Sequence, residues 1–263
     1  MSRVCILTDS TAQFTRPNFP GRERVFVAPF DVQPAAPSRA IPVSRLAFVQ
    51  LFAQLSQEFD AILTLTSSAL LNPTFTNALS ATVQSGSQAS VEVVDSQSTA
   101  VGLGYLVQLA AGLVSAGASL KEIERQVRVS IPRIYTLFCI PELTCLAQAG
   151  LLELSQAQAG EIMGLLPIFT LEDGRLMPTQ KVRTPRHLFE TFQEFLSEFE
   201  QPAHVALLRG VDHTTIRARP LRQFVQETFP ETPFSEHSLN PFLAALFGPH
   251  CIGLVVMEKP EAR

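Results

Sequence analysis

Three short apolar runs in the first hundred residues each end in a cluster of hydroxyls, and two of the clusters hold a carboxylate. Residues 4–7 lead into Thr8-Asp9-Ser10-Thr11, residues 61–65 (with Thr64 inside the run) into Thr66-Ser67-Ser68, and residues 91–94 into Asp95-Ser96-Gln97-Ser98-Thr99. Hydroxyl donors converging on one strand end can grip a carboxylate or a phosphate, and open α/β sheets bind ligands at the carboxyl ends of their strands. Asp, Ser and Thr are equally the residues that cap helices and close turns. A cap or turn is therefore the competing reading for the first and third clusters, and a plain change of polarity from strand to loop for the second.

A fourth candidate is His250, in Gly248-Pro249-His250-Cys251 just before the last apolar run. An imidazole can hydrogen-bond an anion as a cation or, when neutral, through its single N–H. A lone loop histidine also serves a purely structural role. No Ser, Cys or carboxylate adjoins it in a nucleophile motif, so the sequence supports no triad. Lys181-Val182-Arg183 alternates along a strand and puts two cations on one face, which a solvated strand end explains as well as an anion site does.

Several function classes are excluded as expectations. Gly102-Leu103-Gly104 opens like a dinucleotide fingerprint, but Val107 stands where its third glycine belongs, and no phosphate-cradling loop occurs elsewhere. The four cysteines have no metal-site spacing and read as buried thiols of a reducing compartment, with no metal or cofactor expected. The formal net charge is −4 with scattered Arg and Lys, so no basic stripe invites nucleic acid. Met1-Ser2-Arg3 runs into a short strand without a leader core, and no apolar run reaches the roughly 18 to 20 residues of a membrane span. A cytoplasmic protein is expected.

The elements that must position these residues follow from periodicity. β-rich runs at 4–7, 25–32, 61–65, 91–94 and 134–140 alternate with helical patterns, which predicts βαβ units and a largely parallel sheet flanked by helices. Leu46, Val49, Phe52, Leu55 and Phe59 predict an amphipathic helix over 44–59 with Ser44 as its N-cap, and residues 99–116 a helix buried on nearly all sides and stopped by Gly117. Residues 143–166 read as short helices joining two domains, 1–150 and 151–263. In the second, Asp173-Gly174 predicts a hairpin between 166–171 and 176–182, Thr184-Pro185 caps a helix, 203–208 forms a strand, Pro220 starts the next helix, and 233–238 and 252–257 close a second α/β domain with a mixed or antiparallel sheet.

Taken in order, these segments resemble the DegV family over almost the whole chain. Ile6 to Ala12 is similar to its opening motif, Val93-Val94-Asp95-Ser96 with Gly102-Leu103-Gly104 to its Asp-Ser and glycine segment, Leu166-Pro167-Ile168 through Asp173-Gly174 to Lys181-Val182-Arg183 to its hairpin and Lys-x-Arg stretch, and Gly248-Pro249-His250 to its Gly-x-His. The departures are local. The usual Ser-Gly-Thr-Tyr is replaced by Leu71-Asn72-Pro73-Thr74-Phe75, only Ser44 keeps its hydroxyl in the Thr-Ser-x-Pro-Ser segment, Gly-Gly-Arg becomes Ala149-Gly150-Leu151, and the Gly-Pro-Gly after the histidine becomes Cys251-Ile252-Gly253.

The resemblance implies a two-domain α/β fold whose interdomain cleft encloses one fatty acid, its carboxylate held by hydroxyls and a histidine. Carried onto this chain, the head-group residues are Ser10, Ser67, Thr74 and His250, with Thr11, Ser44, Thr66, Ser68 and Arg183 as secondary candidates. In such proteins the bound acid is presented to a separate kinase subunit that phosphorylates the carboxylate, and the carrier itself is no enzyme. Two other readings stay open. The fold is similar to the substrate-binding half of dihydroxyacetone kinases, where a histidine bonds a small carbonyl, so His250 can serve a carbonyl ligand; or the chain is a divergent homologue acting through protein contacts alone.

Overall fold

The computed structural model describes residues 3–33, 39–84, 86–211 and 218–259; Met1 and Ser2, read above for a leader, lie outside them. The chain divides into two compact units, Met1–Asp31 with Ile41–Pro132, and Val32–Ala40 with Arg133–Arg263.

The order up to Pro132 is β1 (Val4–Asp9), β2 (Val25–Ala28), the short β3 (Asp31–Gln33) and β4 (Arg39–Ile41), which lie mostly in the segment counted with the second unit, then α1 (Arg45–Leu55), β5 (Ala61–Thr66), α2 (Thr74–Thr82), β6 (Ser90–Asp95), α3 (Ala100–Ser115) and α4 (Leu120–Ser130). Strands β2-β1-β5-β6 form a wholly parallel four-stranded sheet in that order, and β3 and β4 a separate two-stranded one. β1 and β5 are buried along their whole length because α3 and α4 pack against them and α1 and α2 against the sheet. Burial on both faces is why parallel strands read as unbroken apolar runs. The expected strand 25–32 is split, since Pro29 has no N–H for the ladder.

Ser44 caps α1 as expected, accepting from the Ala47 N–H at 3.2 Å. The buried stripe of α1 is Phe48, Phe52 and Leu55, not the expected one through Leu46, which is 65% exposed, and the helix stops at Leu55. Both stripes have helical spacing; packing against β2 and α2 chose the aromatic one. α3 is buried around most of its circumference, and Gly117 follows it at φ +83°.

The second unit runs β7 (Ile134–Cys139), α5 (Leu143–Gln148), α6 (Leu154–Ile162), β8 (Leu166–Glu172), β9 (Arg175–Val182), α7 (Pro185–Ser197), β10 (Pro202–Arg209), α8 (Ala218–Thr228), β11 (Phe234–Ser238), α9 (Pro241–Phe247) and β12 (Ile252–Glu258). Its six-stranded sheet has the order β11-β10-β12-β7-β8-β9. Only β10 and β11 pair in parallel, so the sheet is mixed.

Two expectations differ here. Residues 134–140 were expected among the parallel strands, yet β7 lies antiparallel between β12 and β8. The units accordingly part at Pro132 and Arg133 and not near residue 150, and α5 and α6 belong to the second unit instead of joining the two. A β-rich run looks the same in either sheet; the long-range pairing with β12 assigns it. The hairpin is as expected, with Asp173 at φ +47° and Gly174 at φ +81° between the paired Glu172 and Arg175, the two positive values a type I′ turn requires. Thr184 accepts from the His187 N–H at 3.2 Å to cap α7. Leu188, Phe192 and Leu196 of α7 pack with Leu221 and Val225 of α8 on Val205 and Leu207 of the sheet.

Candidate functional site

The hydroxyl clusters of the first unit meet at the carboxyl edge of its parallel sheet, because β1, β5 and β6 are in register and end together. Asp9, the last residue of β1, is fully buried. Its Oδ1 accepts from the Thr11 N–H at 2.9 Å and the Thr11 hydroxyl at 2.6 Å, and its Oδ2 from the Ser67 N–H at 2.6 Å. Burial holds this carboxyl above its ordinary pKa, against the lowering effect of the Ser67 and Thr11 hydrogen bonds, the Ser67 hydroxyl's included.

Ser67 in turn accepts from the Asn72 side-chain amide at 2.9 Å, and the Asn72 carbonyl oxygen accepts from the Thr74 N–H at 2.9 Å. One side chain therefore ties the end of β5 to the start of α2. The Ser67 hydroxyl has a single proton; with Asp9 and Asn72 as partners it supports the edge. Asp95 does similar work at the end of β6, accepting from the Ala69 and Gln97 N–H groups at 3.2 and 2.9 Å, its carboxyl raised by burial.

Six buried hydroxyls of this unit have no hydrogen-bond partner among the described residues: Thr8, Thr64, Thr66, Thr74, Ser98 and Thr99. A buried polar group left unpaired costs about 1–3 kcal/mol, and native proteins hold few such groups. Thr66 ends β5, Thr74 opens α2 and Thr99 precedes α3, so donors without partners collect at the edge where parallel α/β sheets take ligands. No Lys or Arg falls within 8–13, 64–74 or 95–100; the edge is a set of neutral donors around two carboxyls.

Gly102-Leu103-Gly104 has a role here that is not nucleotide binding. A Cβ on Gly104 would stand 2.0 Å from the Gln13 carbonyl oxygen, and the Gln13 N–H donates to the Ala100 oxygen at 3.0 Å. The glycine lets the backbone that follows Ser10 and Thr11 lie against α3.

In the second unit His250 Nδ1 is hydrogen-bonded to Glu142 Oε1. Glu142 Oε2 is buried without a hydrogen-bond partner among the described residues. The intervening turn is shaped to that carboxylate: Gly248 has φ +90° and ψ 157°, a conformation essentially confined to glycine, and a Cβ there would lie 2.4 Å from Glu142 Oε2. Around the pair, burial pushes the Cys139 thiol up to about 12 and the Cys251 thiol well above its ordinary value, with the Glu142 charge adding to both.

Of the residues singled out from sequence, Ser10, Thr11, Thr66, Ser67, Ser68 and Thr74 come to one edge. Ser10 Oγ accepts from the Phe30 N–H at 2.8 Å and Ser68 Oγ from the Leu70 N–H at 3.2 Å. Ser44 is an exposed helix cap and Arg183 an exposed residue just beyond β9. His250 belongs to the other unit. Sequence reasoning missed Asn72 and Glu142. Asn-Pro is a turn-initiating pair, which was a usable signal for Asn72; nothing local marks Glu142, 108 residues from its histidine. Among the described residues no group of three or more His, Cys, Asp or Glu can hold a metal ion, and no helix is long and apolar enough to cross a membrane.

A parallel α/β unit followed by a mixed-sheet α/β unit is a known architecture. A DegV family protein from Corynebacterium glutamicum shares it with a TM-score of 0.84 at 22% identity over 100% of both chains. A DegV family protein from Thermus thermophilus, described for its fatty acid binding, scores 0.82 at 22% identity over 98% of this chain and 100% of that one. The Streptococcus pneumoniae fatty acid kinase B3 protein, solved loaded with linoleic acid, scores 0.83 at 15% identity over 98% and 100%. In sequence, a DegV domain-containing protein of Staphylococcus aureus is 28% identical over 214 residues, 81% of this chain and 76% of that protein. The model of the family described as "Uncharacterised protein, DegV family" matches residues 33–259. The chain belongs to the DegV family.

Proposed function

We propose that this protein is a cytoplasmic, non-catalytic carrier that holds one long-chain fatty acid and offers its carboxyl group to a separate kinase subunit. The observation that carries the reading is the set of buried hydroxyls without partners at the carboxyl edge of the parallel sheet, Thr66 and Thr74 foremost. A carboxylate taken out of water must recover its hydration through several hydrogen bonds, and these donors lack only an acceptor. Ser67, Asn72 and Asp9 act behind them by fixing the strand end and the start of α2. The resemblance adds His250 and Ser10 to the head-group set, with Thr11 as a secondary candidate. Related structures support the ligand class: besides the linoleic acid complex, a DegV family protein from Eubacterium eligens is loaded with heptadecanoic acid.

The test is direct. Protein expressed in a bacterium, extracted with solvent and analysed by mass spectrometry, should carry about one equivalent of fatty acid, as a single concave site holds one ligand. Absence of lipid together with failure to take up added linoleate or heptadecanoate would sink the proposal, and a small covalent adduct on His250 in the native mass spectrum would replace it with the carbonyl reading.

A further inference from the structure

The hydroxyls without partners fall on two sides of the parallel sheet, because side chains alternate along a strand. Cys5 and Leu7 of β1 and Ile62 of β5 pack in the core shared with α1 and α2. Thr64 and Thr66 therefore take that face, with Thr74 at the start of α2, and Thr8 takes the opposite face, where α3 packs on β1. On that side Thr99 is the N-cap residue of α3, yet its hydroxyl makes no capping bond. Thr99 is 2% and Ser98 3% exposed, and neither hydroxyl has a hydrogen-bond partner among the described residues. The first N–H groups of the helix are uncapped as well. Those of Gly102 and Leu103 turn back to the Thr99 oxygen at 3.1 and 3.3 Å, those of Ala100 and Val101 donate to no described residue, and the first turn holds no acidic side chain. The segment is pinned in this shape: the Ser68 N–H donates to the Ser98 oxygen at 2.8 Å and the Gln13 N–H to the Ala100 oxygen at 3.0 Å, while Gln97 and Ala100 hold φ of +51° and +50°, a region that residues other than glycine seldom adopt.

We propose that the start of α3 is a second oxyanion subsite, formed by Ser98, Thr99 and the N–H groups of Ala100 and Val101, that takes the phosphoryl group of an acyl phosphate. A carboxylate offers about four lone-pair sites, fewer than the unpartnered hydroxyls and N–H groups that collect at this edge. A phosphoryl group brings three strong acceptor oxygens, and the N-terminus of a helix, with its N–H groups and positive dipole end, is a ready-made site for them. Asp9 and Asp95 are the charged residues of the edge segments, and both already accept backbone N–H groups. Hydrogen bonds and the helix dipole, not a cation, therefore hold the anion. The subsite rests on the carrier reading above for its source of phosphoryl groups, though not for its geometry. Attack of the bound carboxylate on the terminal phosphorus of the kinase's nucleoside triphosphate forms one P–O bond, breaks the bond to the departing diphosphate, and leaves an acyl phosphate on the carrier.

Inorganic phosphate tests the subsite without any lipid. In ¹H–¹⁵N spectra of the delipidated full chain, the Ala100 and Val101 amide signals should move saturably with phosphate and not with chloride at matched ionic strength. Shifts that are absent, or that chloride reproduces, overturn the proposal. Hexadecyl phosphate, a stable analogue of an acyl phosphate, is then compared with hexadecanoate by calorimetry. Thr99→Val removes a hydroxyl but no capping bond, and it should weaken hexadecyl phosphate about tenfold more than hexadecanoate. Equal losses for the two ligands place Thr99 in the carboxyl subsite and refute the assignment, as does no loss for either. Ser98→Ala gives the same comparison should Thr99→Val fail to fold. If neither lipid binds, the carrier reading falls, while the phosphate spectra still decide whether the start of α3 takes an oxyanion.

Discussion

Two glycines of one helix should respond to the same substitution with opposite signs. Gly104 and Gly112 both lie inside α3. A Cβ at Gly112 meets nothing within 4 Å, whereas one at Gly104 would stand 2.0 Å from the Gln13 carbonyl oxygen and 2.6 Å from its carbon. Gly→Ala inside a helix gains about 0.8–1 kcal/mol of propensity, so Gly112→Ala should stabilise the protein by up to about that amount. At Gly104 the same gain is opposed by a clash with main chain. Ordinary contact begins at 3.4 Å, so either the backbone at Gln13 or the helix must retreat by more than an ångström. Overpacking a tight site costs typically about 1–3 kcal/mol and occasionally more, and the retreat also strains the hydrogen bond from the Gln13 N–H to the Ala100 oxygen. The net for Gly104→Ala is a loss of up to about 2 kcal/mol. Urea titration of both variants beside wild type, monitored by far-UV circular dichroism, reads this as midpoints shifted to opposite sides of the wild-type value. The segment that moves follows Ser10 and Thr11, so fatty acid affinity should also fall for Gly104→Ala and hold for Gly112→Ala. Equal midpoint shifts in the two variants would refute the reasoning that the Gly104 position exists for close backbone approach.

Further outcomes follow from the same geometry. Thr74→Val is near-isosteric and removes a buried hydroxyl that has no partner among the described residues; stability should hold or rise by about 1 kcal/mol, while linoleate affinity falls roughly tenfold, and unchanged affinity would remove Thr74 from the head-group set. Burial holds the Asp9 carboxyl above its ordinary range, so its contribution to stability is full below the unfolded-state pKa and is lost as pH rises through the folded-state value. The stability deficit of Asp9→Asn should therefore be largest near about pH 4 and narrow toward about pH 7, and a deficit that widens with pH would contradict this. All four cysteines are buried and unpaired, with the Cys139 thiol at about 12. The native protein should resist a disulfide-exchange reagent at mildly alkaline pH, and all four thiols should react once it is unfolded.

Much of the fold was legible because it is local. The alternation of β-rich and helical periods announced the parallel sheet, Asp173-Gly174 the hairpin, and Ser44 and Thr184-Pro185 their helices, each through backbone chemistry that a few neighbouring residues determine. The hydroxyl clusters after β1, β5 and β6 were legible for the same reason, since strands that end together in a parallel sheet bring their following residues to one edge. What tertiary structure alone decided is long-range. β7 resembles the strands before it but pairs with β12, and the buried stripe of α1 was selected by what packs on it. The cluster after β5 holds both Ser67, engaged by Asp9 and Asn72, and Thr66, whose hydroxyl has no partner among the described residues, a distinction of hydrogen-bond saturation that residue type cannot express. The bond from Glu142 to His250 is the extreme case: a carboxylate and an imidazole 108 positions apart acquire one chemistry only when a glycine turn folds one over the other.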